Sequence, residues 1–311
     1  MTAALHLIRL PVDVRALSRW AAERRLGQTD GGGFDDGRAL HHLLSETFGK
    51  GRLQPFRLLV PPGQAGGGGR GSLYAYCRAD AAALRDEAHA VAPPEHLAVI
   101  DLAALADKPM PDDWRAGRRL GFEIRARPVR RLLAPLPGEP AEGPGEGQES
   151  GQGIGQRSGP PARPFAKGDE VDAFLVAALR RSPDGGGKGT AAADGDGTAL
   201  SREAVYAGWL AERLAGAATL TAVRLASFRR HAASRKGNRR GAVTLDGPDA
   251  LLQGELEVAD PAAFRLALEK GVGRHRAYGF GMLLLRPASA ERLGAERLEA
   301  ERGVERASER A

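Results

Sequence analysis

The alternation of apolar and polar positions divides the 311-residue chain into two strand-and-helix series, separated by stretches with no such pattern. Residues 5–10 are apolar at nearly every position, which predicts a strand that Pro11 closes. Residues 13–26 place Val14, Leu17, Trp20 and Ala21 at helical spacing, and a breaker cluster at 29–33 follows. A second helix is predicted over 36–48, with Gly49 as its stop. Residues 56–60 and 73–77 predict two strands joined by the glycine loop 66–69, and Asp80 caps a helix running to Val91. Residues 120–127 alternate apolar with polar, predicting a half-exposed strand with Arg125 and Arg127 on its wet face. With the first two helices counted as one crossover, the order is strand, helix, strand, strand, helix, strand, the ferredoxin-like pattern.

Residues 135–160 are rich in Pro, Gly, Glu and Gln and predict an unstructured insertion, and a short helix at 171–181 separates it from a second breaker run at 183–197. Ser201 caps a helix over 202–214, whose Val205, Trp209, Leu210 and Leu214 form one buried stripe. Strand patterns at 223–230, 242–245 and 253–258 come next, then a helix from Asp260, a glycine loop and a last strand at 282–285. This is a second, less regular ferredoxin-like half. The predicted fold class is α+β, with tandem ferredoxin-like domains packed side by side. The expected organisation is 1–134 and 201–287 as the two domains, 135–200 as a low-complexity insertion with one helix, and 288–311 as a charged, solvated tail.

The glycine loop carries the first candidate chemistry. Gly271, Gly273, Gly279 and Gly281 interleave with Arg274 and Arg276. The preceding helix has an N-cap acid, Asp260, a proline at its first position, and Gly271 just past its end. Loops that cradle dinucleotides or nucleoside triphosphates run from strand into helix, so that phosphate meets a helix N-terminus. Here the helix presents its C-terminus, and no cofactor is expected. Four glycines exceed what one turn needs, and a flexible backbone flanked by arginines can lie against a polyanion.

Charge changes the picture most at 229–241, where Arg229, Arg230, Arg235, Lys236, Arg239 and Arg240 form the densest positive stretch. It lies between two strand patterns with Gly237-Asn238 near its tip, which predicts a β-hairpin bringing Arg229 and Arg230 near Arg239 and Arg240. Like charges facing across a hairpin repel, and a phosphate backbone would compensate. Arg125, Arg127, Arg130 and Arg131 add the same charge from another segment. The net charge of +6 and pI near 9.8 agree with a polyanionic partner. Aromatic content of 5% argues against single-strand stacking and for backbone and shape recognition of a structured RNA. The lone cysteine, Cys77, excludes an internal disulfide framework and a cysteine-based zinc site. No apolar run reaches membrane-spanning length and no signal-peptide pattern opens the chain, so a cytoplasmic protein without a membrane partner is expected.

The helix at 36–48 holds the best candidate for acid–base chemistry. Leu40, Leu43, Leu44 and Phe48 share one face, His41 falls at its edge, and His42 points nearly opposite and should be solvated. Arg38 and Ser45 share a ridge with His41. The bland reading is an ordinary boundary histidine. A Ser45–His41 nucleophilic pair lacks the Gly-x-Ser-x-Gly elbow. Adjacent helical histidines diverge and make a poor metal motif, so no metal is expected.

Four segments together resemble the CasE family, the CRISPR repeat-processing endoribonucleases of subtype I-E in the RAMP superfamily. They are Gly271-Val272-Gly273 with Gly279-Phe280-Gly281-Met282-Leu283-Leu284, Ile124-Arg125-Ala126-Arg127-Pro128, Trp209 to Leu214, and Leu40-His41. The resemblance implies two ferredoxin-like halves that bind the stem-loop of a CRISPR repeat and cut at the 3′ base of the stem. It also implies retention on the crRNA 3′ stem-loop beside the other subunits of the Cascade complex. The family's catalytic histidine maps onto His41, and its groove-inserting basic hairpin onto Arg229 to Arg240. Arg38 stands where several relatives have tyrosine and is a second catalytic candidate, and Arg274 stands where proline is usual. The chemistry implied is metal-free: the RNA 2′-OH attacks the adjacent phosphate, and the protein aligns it and moves protons. The rival readings are a binding-only RAMP subunit and an unrelated double-stranded-RNA-binding module.

Overall fold

The computed structural model describes residues 4–26, 34–61, 69–136, 165–181, 200–236 and 242–288, with backbone alone for 231–236 and 242–246. Residues 289–311 of the expected tail, 66–68 of the glycine loop, the breaker cluster at 29–33, residues 137–160 of the first low-complexity run and the run at 183–197 lie outside these residues. The chain forms two compact units, Met1–Arg127 with Ala207–Ala311, and Pro128–Tyr206.

In the first unit, β1 (His6–Asp13) leads through α1 (Val14–Glu23) and α2 (Asp36–Phe48) to β2 (Phe56–Leu59) and β3 (Arg70–Cys77). Then come α3 (Ala81–Val91), the single turn α4 (Pro94–Leu97) and β4 (Ala106–Pro109). Acid caps start the helices: Asp80 Oδ1, as predicted, accepts from Ala83 N–H at 2.8 Å, and Asp13 Oδ1 accepts from Ala16 N–H at 2.8 Å. Pro11 does not close β1, which continues to Asp13 while the Pro11 carbonyl accepts from Asp101 N–H at 3.1 Å. The antiparallel sheet runs β2-β3-β1-β4 and packs on the apolar faces of the helices, with Ile8, Leu10, Leu17, Leu40, Leu43 and Leu73 fully buried.

The fourth strand of this sheet is therefore β4, not 120–127. That segment, β5 (Arg119–Ala126), joins a second antiparallel sheet of order β10-β5-β9-β8. Its remaining strands are β8 (Ala218–Lys236), β9 (Ala242–Val258) and β10 (Leu283–Pro287), with α7 (Pro261–Lys270) between the last two. Taken in chain order, both sheets have the arrangement fourth, first, third, second. Alternation identified β5 as a strand, but pairing partners depend on distant sequence. Tyr76 ties the sheets together, its hydroxyl donating to the Leu283 carbonyl at 2.9 Å. Both halves are thus ferredoxin-like and α+β, as expected.

The second unit is small. β6 (Val129–Arg131) pairs with β7 (Glu170–Asp172), followed by α5 (Ala173–Arg181). α6 (Arg202–Leu214) begins in this unit and continues past it. Leu132, Val171 and Val176 form its core, and the Asp172 carboxylate accepts from Arg202 and from the Tyr206 hydroxyl at 2.8–3.0 Å.

Candidate nucleic-acid interface and histidine site

α2 is fixed at both ends. Asp35 Oδ1 accepts from Arg38 N–H at 3.0 Å, and Gly49 ends the helix with φ of 89°. Leu40, Leu43, Leu44 and Phe48 are buried as the spacing predicts. His41 is half-buried, its ring 4.9 Å from the Tyr278 ring at a tilt of 46°. It shares a small pocket with Ser45, Gln54, Phe56 and Ala277. His42 is half-buried too, not solvated, because its ring lies edge-on to His41 at 5.5 Å. Arg38 is also half-buried.

Tyr278 reaches His41 because α2 and the glycine loop come very close. A Cβ on Gly37 would lie 2.3 Å from the Tyr278 carbonyl oxygen, so only glycine permits this approach. Neither Gly37 nor Tyr278 carries a sequence signal, since the contact joins segments some 240 residues apart. The loop has a closed, hydrogen-bonded backbone. Gly271, Gly273, Gly279 and Gly281 all have φ between 71° and 79°, and His275 joins them at 62°. The loop closes on itself through Val272 N–H to the Gly281 carbonyl at 2.8 Å, and Gly281 N–H donates to the Arg125 carbonyl at 2.7 Å. Backbone geometry thus accounts for all four glycines. Arg274 is exposed, and Arg276 is half-buried with Nη1 donating to the Lys270 carbonyl at 2.5 Å.

Arg125 and Arg127 are buried, at 8% and 4% exposure, and do not lie on a wet face. Arg125 donates Nε and Nη2 to Asp249 at 2.9 and 2.7 Å, sits 4.5 Å over the Phe280 ring, and reaches Asp36 in the first turn of α2 at 3.8 Å. The loop and α2 cover the face that alternation alone assigns to solvent. Burial by itself would raise the Asp249 carboxyl, but hydrogen bonds and charge from Arg125 and then Arg229 outweigh it and hold the pKa to about 2. Arg57 is a further cation that sequence reading missed, 3.8 Å from Glu123, its guanidinium pushed below its usual value by burial and by Arg125. Arg57, Arg125 and Arg229 are therefore balanced by Asp36, Glu123 and Asp249. Arg130 lies in β6 of the second unit and is half-buried.

The predicted hairpin is a long ribbon. β8 and β9 pair from Ala218↔Val258 to Lys236↔Ala242, with the register shifting at Thr221 and at Ala226. Arg229 pairs with Asp249 and Arg230 with Pro248, because the ladder continues farther than the apolar pattern predicts. Arg229 Nε donates to Asp249 Oδ2 at 2.7 Å while most of its side chain stays exposed, and Arg230 is exposed too. Arg235 and Lys236 sit at the far end of the ladder, and Arg239 and Arg240 lie outside the described residues. β5 pairs with β9 only as far as Ala126↔Ala250, so from Asp249 outward the ribbon leaves the sheet. Among the described residues no helix is long and apolar enough to cross a membrane.

The model of the CRISPR associated protein family matches residues 5–287. No curated protein matches the chain. Among solved structures, CRISPR endoribonuclease Cse3 bound to 19 nt RNA is 19% identical with a TM-score of 0.51, covering 91% of this chain and 100% of that one. Cse3 of Thermus thermophilus, bound to an RNA representing a pre-cleavage complex, is 19% identical with a TM-score of 0.49 and the same coverage. Cas6e from Escherichia coli str. K-12 is 15% identical with a TM-score of 0.41, again covering 91% and 100%. At 19% identity the likeness to the first of these structures is one of fold.

Proposed function

The chain belongs to the CRISPR associated protein family, and we propose that it is a cytoplasmic endoribonuclease that cuts CRISPR precursor RNA at the 3′ base of the repeat stem-loop. It then stays on the crRNA 3′ hairpin as a subunit of a type I-E Cascade complex. The observation that carries the reading is His41, held by ring contact with Tyr278 at 4.9 Å where the histidine helix meets the glycine loop. The ribbon arginines Arg229 and Arg230 start at the other side of the Asp249–Arg125–Asp36 chain that ends on the same helix.

RNA carries its own nucleophile, the 2′-OH beside the scissile phosphate. In-line attack forms a bond from the 2′-oxygen to phosphorus and breaks the bond to the 5′-oxygen, leaving a 2′,3′-cyclic phosphate. The proton lost by the 2′-OH and the proton gained by the 5′-oxygen are the protein's task, and one imidazole contributes about 10²–10⁴-fold as acid or base. His41 has that role, with Tyr278 fixing its ring plane. Arg38, one helical turn earlier, stabilises charge on the phosphorane. No metal is needed in this scheme.

His41→Ala should bind repeat RNA within about twofold of wild type and cut about 10²–10⁴-fold more slowly. Excess EDTA should leave the wild-type rate unchanged, and a 2′-deoxy substitution at the scissile nucleotide should block cutting without blocking binding. Cleavage of the deoxy RNA, or its loss with EDTA, would overturn the 2′-OH scheme. A wild-type rate in His41→Ala would remove the histidine from catalysis, and a wild type that binds but never cuts would be a binding-only subunit.

A further inference from the structure

Beyond the C-terminal end of α2, between the connection to β2 and the end of α7, lies a cleft of about 430 Å³. Gly51 and Gln54 line both this cleft and the His41 pocket, so the two spaces share a wall. Four cations border the cleft, Arg52, Arg78, Lys270 and Arg276, against one carboxylate, Glu269. Arg78 donates Nε and Nη2 to Glu269, both at 2.5 Å, and Arg52 Nε pairs with Glu87 outside the cleft at 3.2 Å. The exposed Lys270 ammonium has no ion-pair partner among the described residues. The cleft therefore keeps positive charge after its internal pairs are made.

Its place relative to the ribbon gives the charge a direction. The base of the ribbon communicates with the first turn of α2, through Asp249, Arg125 and Asp36. Gly51 and Arg52 follow the last turn, and His41 stands between the two ends. Thirteen helical residues at about 1.5 Å each separate those ends by about 20 Å. An RNA whose duplex is held at the ribbon end and whose scissile phosphate is at His41 continues past the other end of the helix. We propose that this cleft holds the single-stranded RNA immediately downstream of the cut, by contacts to its phosphates. The proposal rests on the endoribonuclease reading above. Cations on flexible side chains recognise backbone charge without reading bases, so the site tolerates any downstream sequence.

The test uses two cleavage-inert RNAs, each 2′-deoxy at the scissile nucleotide, one ending at the cut and one extended by about four nucleotides. Wild-type protein should bind the extended RNA about tenfold more tightly, with a log–log salt slope steeper by about 0.7 per phosphate contacted. In the Lys270→Ala/Arg52→Ala double variant that gain should fall below twofold, with affinity for the short RNA unchanged. Lys270→Glu, a single change on an exposed side chain, should reduce the gain in the same direction without altering the melting temperature. Equal wild-type affinities for the two RNAs, or a gain that survives in the variants, would overturn the cleft assignment while leaving the endoribonuclease reading intact. Failure of wild type to bind either RNA would defeat both.

Discussion

Asp249→Asn keeps the shape of one side chain and removes the charge that holds the ribbon base, β5 and α2 together. The carboxylate is only 5% exposed and accepts from Arg125 at 2.9 and 2.7 Å and from Arg229 at 2.7 Å. Its pKa of about 2, against an ordinary 3.8, corresponds to about 2 kcal/mol of stability at neutral pH. The variant also leaves buried Arg125 without its hydrogen-bonded carboxylate, with Asp36, 3.8 Å away, and the charge of Asp35 still near it. Stripping a buried ion of its partner costs about 3–5 kcal/mol, and Asp36 moderates that, so the expected loss is about 2–4 kcal/mol. Urea unfolding of both proteins from pH 7 to pH 3 reads it. Because the folded pKa lies below the unfolded one, the stabilisation is complete above the ordinary carboxylate range and is lost as pH falls toward 2. About half of it should remain at pH 3, and the gap between the proteins should narrow accordingly. A gap below about 0.5 kcal/mol at pH 7, or one unchanged down to pH 3, would refute the electrostatic account.

Gly37→Ala would drive a methyl group to 2.3 Å from the Tyr278 carbonyl, so α2 and the loop must separate, costing about 1–3 kcal/mol and slowing RNA cleavage more than it weakens RNA binding. Thermal melting with single-turnover kinetics reads both effects, and unchanged cleavage would show that the contact does not matter to the site. His96 is completely buried, edge-on to Trp20 at 5.3 Å and 2.9 Å from the Thr47 hydroxyl. Burial pushes its imidazole below the usual range, and the nearby Glu46 carboxylate opposes this without cancelling it. The neutral form is the one favoured by folding, so the melting temperature of the wild type should fall as pH drops below about 6.5, and His96→Leu should flatten that segment of the profile.

What was legible in the sequence was local. Asp80 and Asp260 cap helices because a short acid reaches the N–H three residues on, an interaction that needs no distant partner. The face of α2 carrying Leu40 and Leu43 was legible for the same reason. What was not legible depends on segments meeting across the chain. Arg125 looks exposed until Asp249, more than a hundred residues later, meets it and Phe280 covers it. Alternation marks β5 as a strand without naming its neighbours. β4, Ala-Asp-Lys-Pro, is a short polar edge strand with almost no apolar signal. The four loop glycines looked too many for one turn because sequence does not show that each backbone position is left-handed.

The membership of β5 in the second sheet sets an order of events during synthesis. The first sheet has all its strands once Pro109 has left the ribosome, so it can close early. β5 follows from Arg119, carrying Leu120, Phe122 and Ile124, all destined for burial. Its partner β9 begins only at Ala242, a wait of about 6–25 s at translation speeds of roughly 5–20 residues per second. Throughout that interval both edges of a strand rich in apolar side chains are unpaired, next to a finished domain. The nascent chain is therefore most exposed to misassociation after β5 is made and before β9 emerges, and a holding chaperone would gain most by acting in that interval.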